Sequence, residues 1–288
     1  MEVIKRRVPP IGLFNKTCNG CYVNSVIQFI MSSSVIVDQL FCSQPKNEVV
    51  QRVKLLCYDL CNSGYDTVDT FYFLDNYEPN TGDPNEFLMM VLFELGECKV
   101  TLKKDIKAVC KKCGKEYAMK SCENYWTLNN MENEHDLEVI IQRHSDVMWC
   151  CEEDQPCEVT YQAIPETIVF LVNNICENNG QLKKIEKSVS QNRVINIKGV
   201  EYSLIAMISH IGWELVGHCR CYTNTELGWF CADDTNVYKW NGCLNEGEHE
   251  VIVAMLYQKT GTIDPKLCVD GLSITEDYFN FLNQKKGN

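Results

Sequence analysis

Two cysteines, Cys18 and Cys21, lie three positions apart in the segment NKTCNGCYVNSVIQF, which spans residues 15–29. This spacing suits half of a zinc site, a redox pair, a nucleophile with a bystander thiol, or two ordinary buried thiols. A helical repeat of apolar residues begins near Cys21, which places Cys21 in the first turn of the predicted helix and Cys18 one turn before it. The helix dipole favours a thiolate at that end, so Cys21 is the better candidate nucleophile.

A thiol nucleophile also needs a general base and a group that orients the base. Of the five histidines, His218 stands out because it opens the segment GHCRCYTNTELGWFCADDTNV, whose pattern predicts two strands around a turn at about 224–228. Centring the hairpin on that turn puts His218 opposite Asp233, with Cβ atoms roughly 5 Å apart. The alternative is that His218 only caps a strand and that Asp233 and Asp234 only form a turn. Asn19 is a candidate donor to an oxyanion beside Cys21.

The elements that must position these residues follow one another in a simple order along the chain. Apolar periodicity predicts helices over 22–31, 47–61 and 86–95, the last opened by Asp83-Pro84. From about residue 99 a basic, strand-like segment follows, and cysteine clusters bracket residues 110–157. From about residue 165, short strands separated by turns predict an antiparallel sheet. The sequence therefore predicts an α+β fold, with the last 28 residues or so as a surface appendix.

Composition narrows the class of protein and its compartment. The chain has 288 residues and a net charge of -12, which argues against nucleic acid as a partner and suits a basic one. It has no run of about 18 apolar residues, and its start lacks the apolar core of a signal peptide, so we expect no membrane association. The 18 cysteines are then expected to be thiols or metal ligands in the cytosol or nucleus rather than disulfides.

Three separated motifs resemble those of the ubiquitin-specific proteases, and together they span about residues 12 to 257. The first is the cysteine box, Gly12-Leu13-Phe14-Asn15 followed by Asn19-Gly20-Cys21-Tyr22-Val23-Asn24-Ser25. The second is an acidic motif similar to the family's Asp-Ala-His-Glu-Phe-Leu, which reads here Asp83-Pro84-Asn85-Glu86-Phe87-Leu88. The third is the histidine box, made of Tyr202-Ser203-Leu204, His210-Ile211-Gly212, Gly217-His218-Cys219-Arg220-Cys221-Tyr222 and Trp229-Phe230-Cys231-Ala232-Asp233-Asp234.

The chain departs from the family pattern at several points. The cysteine box is one residue longer, with Lys16-Thr17-Cys18 where the family usually has two residues. Cys219 replaces the usual Tyr after the histidine, and Leu171-Val172-Asn173-Asn174 stands in place of the family's Leu-Lys-Arg-Phe. The chain is short and divergent for this family, which is compatible with a viral or parasite origin.

The resemblance implies a role for each candidate residue and a papain-like fold of thumb, fingers and palm. Cys21 is implied as the nucleophile, His218 as the general base, Asp233 as the residue that orients it, Asn19 as an oxyanion donor and Asp234 as an assisting acid. The implied division is an N-terminal extension, a helical thumb, fingers, a palm sheet and a C-terminal appendix, over residues 1–11, 12–100, 101–163, 164–260 and 261–288.

The implied reaction is hydrolysis of the isopeptide or peptide bond after the C-terminal Gly of ubiquitin, through a thioester. Ubiquitin or ubiquitinated proteins are then the partners of a monomeric enzyme. Asp83 and Glu86 are candidate contacts for arginines of the ubiquitin tail, although Glu86 is equally explained as a carboxylate that only starts a helix. The alternatives are a papain-like protease for another ubiquitin-like modifier or a viral polyprotein, and an inactive ubiquitin-binding scaffold. A zinc-dependent adaptor would instead use Cys18 and Cys21 as metal ligands.

A second cysteine cluster predicts a structural zinc ion, and the alternative is a zinc site that has been lost or is vestigial. Cys110-Lys-Lys-Cys113-Gly has the spacing of a zinc knuckle, in which two thiolates bind the metal from one tight turn. Zinc needs four ligands, and the resemblance implies a zinc ribbon in the fingers, completed by Cys151 and Cys157. Cys150 in place of Cys151, and Cys122 as a spare ligand, are the alternatives. A site closed by four cysteines leaves no open position for catalysis.

Overall fold

The computed structural model of the chain describes residues 3–4, 10–16, 20–62, 64–74, 77, 82–130, 134–145, 147–150, 153–178, 181–212, 217–244, 249–261, 267–268 and 271–286. The helices in these ranges are α1 (Cys21–Met31), α2 (Ser34–Cys42), α3 (Glu48–Asn62), α4 (Thr70–Phe73), α5 (Pro84–Glu94), α6 (Leu137–Ser145) and α7 (Gly271–Lys286).

The strands are β1 (Val3–Ile4), β2 (Gly12–Phe14), β3 (Thr67–Asp69), β4 (Leu102–Val109), β5 (Glu116–Glu123), β6 (Trp126–Asn129), β7 (Val147–Cys150), β8 (Glu153–Ala163), β9 (Thr167–Asn173), β10 (Ile175–Asn178), β11 (Gln181–Lys184), β12 (Val194–Ile197), β13 (Val200–Gly212), β14 (Gly217–Thr225), β15 (Gly228–Asp233), β16 (Asn236–Lys239), β17 (Val251–Lys259) and β18 (Leu267–Cys268).

The helical front surrounds α1, and every residue of α1 is buried. A helix that is mostly apolar on all sides is stable only when other elements cover all of its faces. Here α1 packs against α2, α3, α5 and the strands β13 to β15. The helices predicted over 22–31, 47–61 and 86–95 are confirmed within two residues at each end, and Asp83 caps α5 by accepting from the Asn85 N–H.

The main sheet has the strand order β16-β15-β14-β13-β17-β9-β6, with β12 paired to β13. Its pairs are antiparallel except β6 with β9, which confirms the predicted antiparallel sheet. One face packs on the helical front, through residues such as Ile208 and Cys219. The other face carries Tyr202 and Met207 and is covered partly by α6.

A second sheet, in the order β5-β4-β8-β7, forms the fingers. The stretch 101–163, expected to be a single insert, is divided between the two sheets. β6 pairs with β9 in the main sheet, and α6 buries Leu137, Ile140 and Ile141 against the same sheet. The sequence pattern missed this because β6 is only four residues long and its partner strand comes later in the chain.

The C-terminal segment is not a surface appendix. The α7 helix packs on α3, and the Phe281 side chain is only 4% exposed. Its ring stacks on Phe73 at a centroid distance of 5.2 Å, and the Arg52 guanidinium lies 4.7 Å from its centroid. The expectation was wrong because the apolar pattern of this segment is sparse, although Ile274 and Phe281 share one buried face seven residues apart.

In the part of the chain that the structure describes, no single helix is long and apolar enough to span a membrane. One pair of consecutive helices, Cys21–Met31 and Ser34–Cys42, is together long and apolar enough for a membrane span, but the two helices are bent by 97° relative to each other.

Candidate active site

Cys21 is the first residue of α1, at the end where the backbone N–H groups are not used by the helix. The residue before it, Gly20, donates its N–H to the Asn15 side chain at 3.0 Å. A Cβ on Gly20 would lie 2.4 Å from the Phe71 ring, so only glycine fits here. The side chain of Cys21 is 7% exposed, in a position where the helix dipole favours a thiolate.

His218 and Asp233 lie at the start of β14 and the end of β15, and they are in direct contact. The His218 Nε2 atom is 2.5 Å from Asp233 Oδ1, and the Arg220 Nε atom donates to Asp233 Oδ2 at 2.8 Å. The carboxylate is therefore held by two partners and fixes the orientation of the imidazole ring.

The hairpin register predicted for these strands was wrong by two residues. The structure pairs Tyr222 with Cys231 rather than with Trp229, because the hairpin closes between Thr225 and Gly228. Continuing this register puts Arg220, not His218, opposite Asp233. The two residues still meet because diagonal neighbours on one sheet face are within reach of long side chains.

The Cys21 thiol interacts with the His218 side chain. Nε2 of His218 is held by Asp233, which leaves Nδ1 for Cys21. A hydrogen bond from the Cys219 side chain is the largest cause that lowers the pKa of Cys21 to about 4, and the hydrogen bond and charge of His218 add to it against the effect of burial. Asp233 first, and Cys21 second, raise the pKa of His218 to about 10. At neutral pH the pair is therefore thiolate and imidazolium.

The pKa of Asp233 is consistent with this pair. Burial of the carboxyl group opposes ionisation, yet the hydrogen bond from His218 and the charge of Arg220 hold its pKa below the usual range. Asp233 is therefore a carboxylate at neutral pH.

Asp234 joins the cysteine and histidine halves of the site. Its carboxylate accepts from Asn15 Nδ2 at 2.9 Å and from Asn24 Nδ2 at 2.8 Å, and its backbone oxygen accepts from the Leu13 N–H at 2.9 Å. Asn24 is itself held by the Thr70 hydroxyl at 2.7 Å. Asn15 and Asn24 had no role in the sequence analysis, although both lie in the motif around Cys21.

A buried lysine contacts His210, which pairs with Cys219 in the main sheet. Lys184, 8% exposed, places its Nζ atom 3.0 Å from His210 Nδ1 and donates to the backbone oxygen of Gly212. Burial first, and the Lys184 charge second, lower the pKa of His210 to about 4. His210 is therefore neutral, and its Nδ1 atom accepts a hydrogen bond from Lys184 Nζ.

The other expected site residues are placed as follows. Asn19 and Cys18 lie outside the described residues, so the oxyanion role of Asn19 stays a prediction. Asp83, the N-cap residue of α5, and Glu86, in its first turn, are both exposed, and α5 packs on α1.

The expected zinc knuckle forms the tight turn between β4 and β5. Gly114 N donates to the Cys110 oxygen at 2.8 Å, and Gly114 has a φ of 69°, where glycine is favoured. Cys157 pairs in register with Ala108, at the same end of β4. Cys122 pairs with Lys103 at the opposite end of β4, so it is not a ligand of this knuckle.

The fourth expected ligand is not among the described residues. Cys151 lies outside them, and so does the side chain of Cys150. The sulfur atoms of Cys110, Cys113 and Cys157 do not all lie within 4.8 Å of one another. Among the described residues, the group whose possible ligand atoms do lie that close together is His218, Asp233 and Asp234. The chemistry and turn geometry of Cys110 and Cys113 fit a zinc ribbon, with Cys157 on the neighbouring strand.

Comparisons with known proteins identify a family and a fold. Residues 11–246 match the family model described as ubiquitin carboxyl-terminal hydrolase. No curated protein sequence matches the chain.

Two solved structures are similar to the whole fold. One is a SAGA DUB module with a variant of Ubp8 and with Sgf11, Sus1 and Sgf73, bound to monoubiquitin; it has 16% identity and a TM-score of 0.67, over 88% of this chain and 70% of that chain. The other is a module with a second Ubp8 variant and the same three proteins, at 16% identity and a TM-score of 0.66, over 89% and 69%. The predicted α+β, papain-like fold is confirmed.

Proposed function

Because the chain belongs to the ubiquitin carboxyl-terminal hydrolase family, we propose that it is a deubiquitinating cysteine protease that uses Cys21 as its nucleophile. The observation that carries this assignment is the contact of His218 with Asp233, together with the interaction of His218 with Cys21 at the start of α1. Nucleophile, base and orienting carboxylate are the three parts that thiol-dependent acyl transfer needs. An inactive scaffold has no need for a thiolate held next to an imidazolium.

The reaction follows from these protonation states. The Cys21 thiolate attacks the carbonyl carbon of the C-terminal Gly of ubiquitin, and the His218 Nδ1–H protonates the leaving lysine amine as the C–N bond breaks. The thioester on Cys21 is then attacked by water, which loses its proton to the neutral His218, and the thiolate leaves. Asp233 keeps Nδ1 directed at Cys21 throughout by holding Nε2.

The oxyanion of each tetrahedral intermediate needs N–H donors beside Cys21. The Cys21 backbone N–H, at the free N-terminal end of α1, is one donor. The side chain of Asn19 is proposed as the second. Asn15 is held by Asp234 and Gly20, so its part is to fix Gly20, the residue directly before Cys21.

The substrate assignment rests on charge and on the relatives. One similar solved structure is bound to monoubiquitin, and a C-terminal tail with arginines suits an enzyme with a net charge of -12. We assign Asp83 and Glu86, exposed at the N-terminal end of α5, as contacts for those arginines. Action of the chain as a monomer, in the cytosol or nucleus, is part of the same proposal.

Cys110, Cys113, Cys151 and Cys157 are proposed as the ligands of a structural zinc ion. Such an ion would join the turn between β4 and β5 to the strand that carries Cys157, and so hold the far end of the fingers together.

The test is labelling with ubiquitin that carries a C-terminal electrophile. We expect a covalent adduct that Cys21→Ala abolishes and Cys18→Ala largely retains, because only the thiolate beside His218 is activated. An adduct that survives Cys21→Ala and disappears with Cys18→Ala overturns the assignment of the nucleophile. Ubiquitin-like modifiers with the same electrophile show whether ubiquitin is preferred.

A further inference from the structure

Lys184, the last residue of β11, is a lysine whose side chain is only 8% exposed. Its Nζ atom lies 3.0 Å from Nδ1 of His210 and 3.4 Å from the backbone oxygen of His249, and it also donates to the backbone oxygen of Gly212. An ammonium group has three N–H donors, so each of these acceptors can take one. A buried polar group is stable only when hydrogen bonds replace its contacts with water, so these acceptors fix where the ammonium group lies.

The two backbone acceptors belong to different parts of the main sheet. Gly212 is the last residue of β13, and His249 comes two residues before the start of β17. Strand β13 pairs with both β14 and β17, whereas β11 pairs with β10 in a separate sheet of two strands. The Lys184 side chain therefore holds the end of β13 and the entry to β17 from outside the main sheet.

The same end of β13 lies beside the residue that precedes His218. Gly212 pairs with Gly217, the first residue of β14. The His210 ring lies against Gly217, because a Cβ atom placed on Gly217 would overlap Nε2 and Cε1 of that ring. Gly217 is joined to His218 by one peptide bond, so the position of the His210 ring limits where the backbone of His218 can lie.

The His210 ring is held between Lys184 and Gly217. The ammonium group of Lys184 donates to Nδ1, so the proton of the neutral ring is on Nε2, the nitrogen that faces Gly217. The contacts thus follow one line, from Lys184 through the His210 ring to Gly217 and the base of the site. Lys184 itself lies outside the three motifs around the catalytic residues.

We propose that Lys184 is a positioning residue for the reaction, which acts through His210 to fix the backbone that carries His218. This rests on the proposed function in that His218 is taken as the general base for Cys21. Misplacing a reacting group by about 1 Å can cost about 100-fold in rate, so contacts that hold the backbone of the base bear on turnover. The alternative is that Lys184 only fastens β11 to the main sheet, in which case its loss lowers stability and leaves the reactivity of Cys21 unchanged.

The test is the Lys184→Met variant, which keeps a long side chain and removes the N–H donors. Its readout is the rate of Cys21 alkylation by iodoacetamide at about pH 6, followed by mass spectrometry of the peptide that contains Cys21. We expect the rate to fall by about tenfold or more, because a Cys21 thiol without an aligned imidazolium is mostly protonated at that pH. Lys183→Met is the matched control: it changes the adjacent, exposed lysine of the same strand and should leave the rate unchanged.

Turnover of ubiquitin with a fluorogenic C-terminal amide gives a second readout. Lys184→Met should lower kcat by about 10- to 100-fold, because the base is misplaced in every turnover. It should leave KM nearly unchanged, since a side chain that is 8% exposed is not available to the substrate. A loss confined to KM would mean that this region binds substrate instead, and it would overturn the proposal.

A double-variant cycle tests the route through His210. If Lys184 acts through His210, His210→Ala also slows alkylation of Cys21, and adding Lys184→Met to it has little further effect. Two effects that multiply in the double variant overturn this route. His210 is only partly buried, so His210→Ala also decides the question if Lys184→Met does not fold: an alkylation rate that His210→Ala leaves unchanged overturns the proposal.

Urea unfolding of the same variants separates positioning from a purely structural role. An unchanged alkylation rate in Lys184→Met, with or without a loss of stability, overturns the proposal in favour of the structural role. Alkylation needs no ubiquitin, so these results stand apart from the failure or success of ubiquitin labelling.

Discussion

Asp234 accepts a 2.8 Å hydrogen bond from the side chain of Asn24, which lies 210 positions earlier in the chain. This bond ties α1, which carries Cys21, to the turn after β15, which carries Asp233. The nucleophile comes from the helical front and its base from the sheet, so their relative position depends on contacts of this kind. Asn24 is 2% exposed, where a hydrogen bond that cannot form is not replaced by one to water.

We predict that Asn24→Ala lowers the free energy of unfolding by about 1–3 kcal/mol, because it leaves Asp234 and the Thr70 hydroxyl each without one partner. The turnover number should fall as well, since the two halves of the site lose their link. Urea unfolding and hydrolysis of ubiquitin with a fluorogenic C-terminal amide measure the two effects. Gln162→Ala, which removes an exposed amide on the fingers, is the control. Unchanged stability in Asn24→Ala would contradict the prediction.

Turnover should follow a bell-shaped pH profile with limits set by the thiolate–imidazolium pair. Below a pH of about 4 Cys21 takes up a proton and loses its nucleophilic form. Above a pH of about 10 His218 loses the proton that the leaving amine needs. The kcat/KM profile checks both limits. An acid limb near the usual thiol value of about 8.5 would show that Cys21 is not ionised in the free enzyme.

Asp233→Asn should slow turnover by about 100-fold or more while ubiquitin binding changes little, because Asp233 acts through His218. The variant should also move the alkaline limb to lower pH, since Asp233 is the main cause of the raised pKa of His218. Turnover measures the first effect. Binding is measured on a Cys21→Ala background, with and without Asp233→Asn. A change mainly in binding would mean that Asp233 contacts the substrate instead.

Zinc should be retained on purification and lost when the knuckle is altered. We expect Cys110→Ser and Cys113→Ser to remove the metal, because each takes away one thiolate ligand from the turn between β4 and β5. Cys122→Ser serves as the control, since Cys122 lies at the other end of the fingers strands. Elemental analysis of the full chain gives the answer. A metal-free unaltered chain would show that the ribbon has lost its function.

Phe281→Ala should destabilise the protein by about 3–5 kcal/mol, the cost of removing a buried phenylalanine from a core. Its ring is 4% exposed and stacks on Phe73. Phe279→Ala, two residues earlier and 57% exposed, is the matched control and should change stability by about 0.5 kcal/mol or less. Equal effects of the two variants would contradict the prediction and would indicate that α7 contributes no more to stability than a surface segment does.

The sequence predicted the elements around the site well because their apolar patterns are strong and local. The start of α1 at Cys21 and the strands that carry His218 and Asp233 could be read from periodicity alone. The register of their hairpin could not, because it depends on which two residues form the turn, and a turn centre one position off moves every pair by two. The contact from His218 to Asp233 was expected for a directly opposed pair and exists as a diagonal one.

The contacts between segments that are distant in the sequence could not be predicted, for a different reason. Asn15 and Asn24 are ordinary polar residues in a linear pattern, and only the folded chain brings Asp234 to them. The same holds for Cys219. In the sequence it is a departure from a family pattern, whereas in the structure it belongs to the buried cluster that contains Cys21.

The position of β6 determines which deletion variants of this protein can keep the main sheet complete. The chain leaves the fingers after β5, adds β6 to the edge of the main sheet beside β9, and re-enters the fingers only at β7. The segment 101–163 is therefore not a separate insert that can be removed without changing the main sheet. A deletion variant with a short linker in place of residues 101–163 would also lose the edge strand and α6, and would open to water the Phe170 ring, which packs on Trp126. A minimal catalytic unit has to keep 126–145 and shorten the hairpins on either side of it.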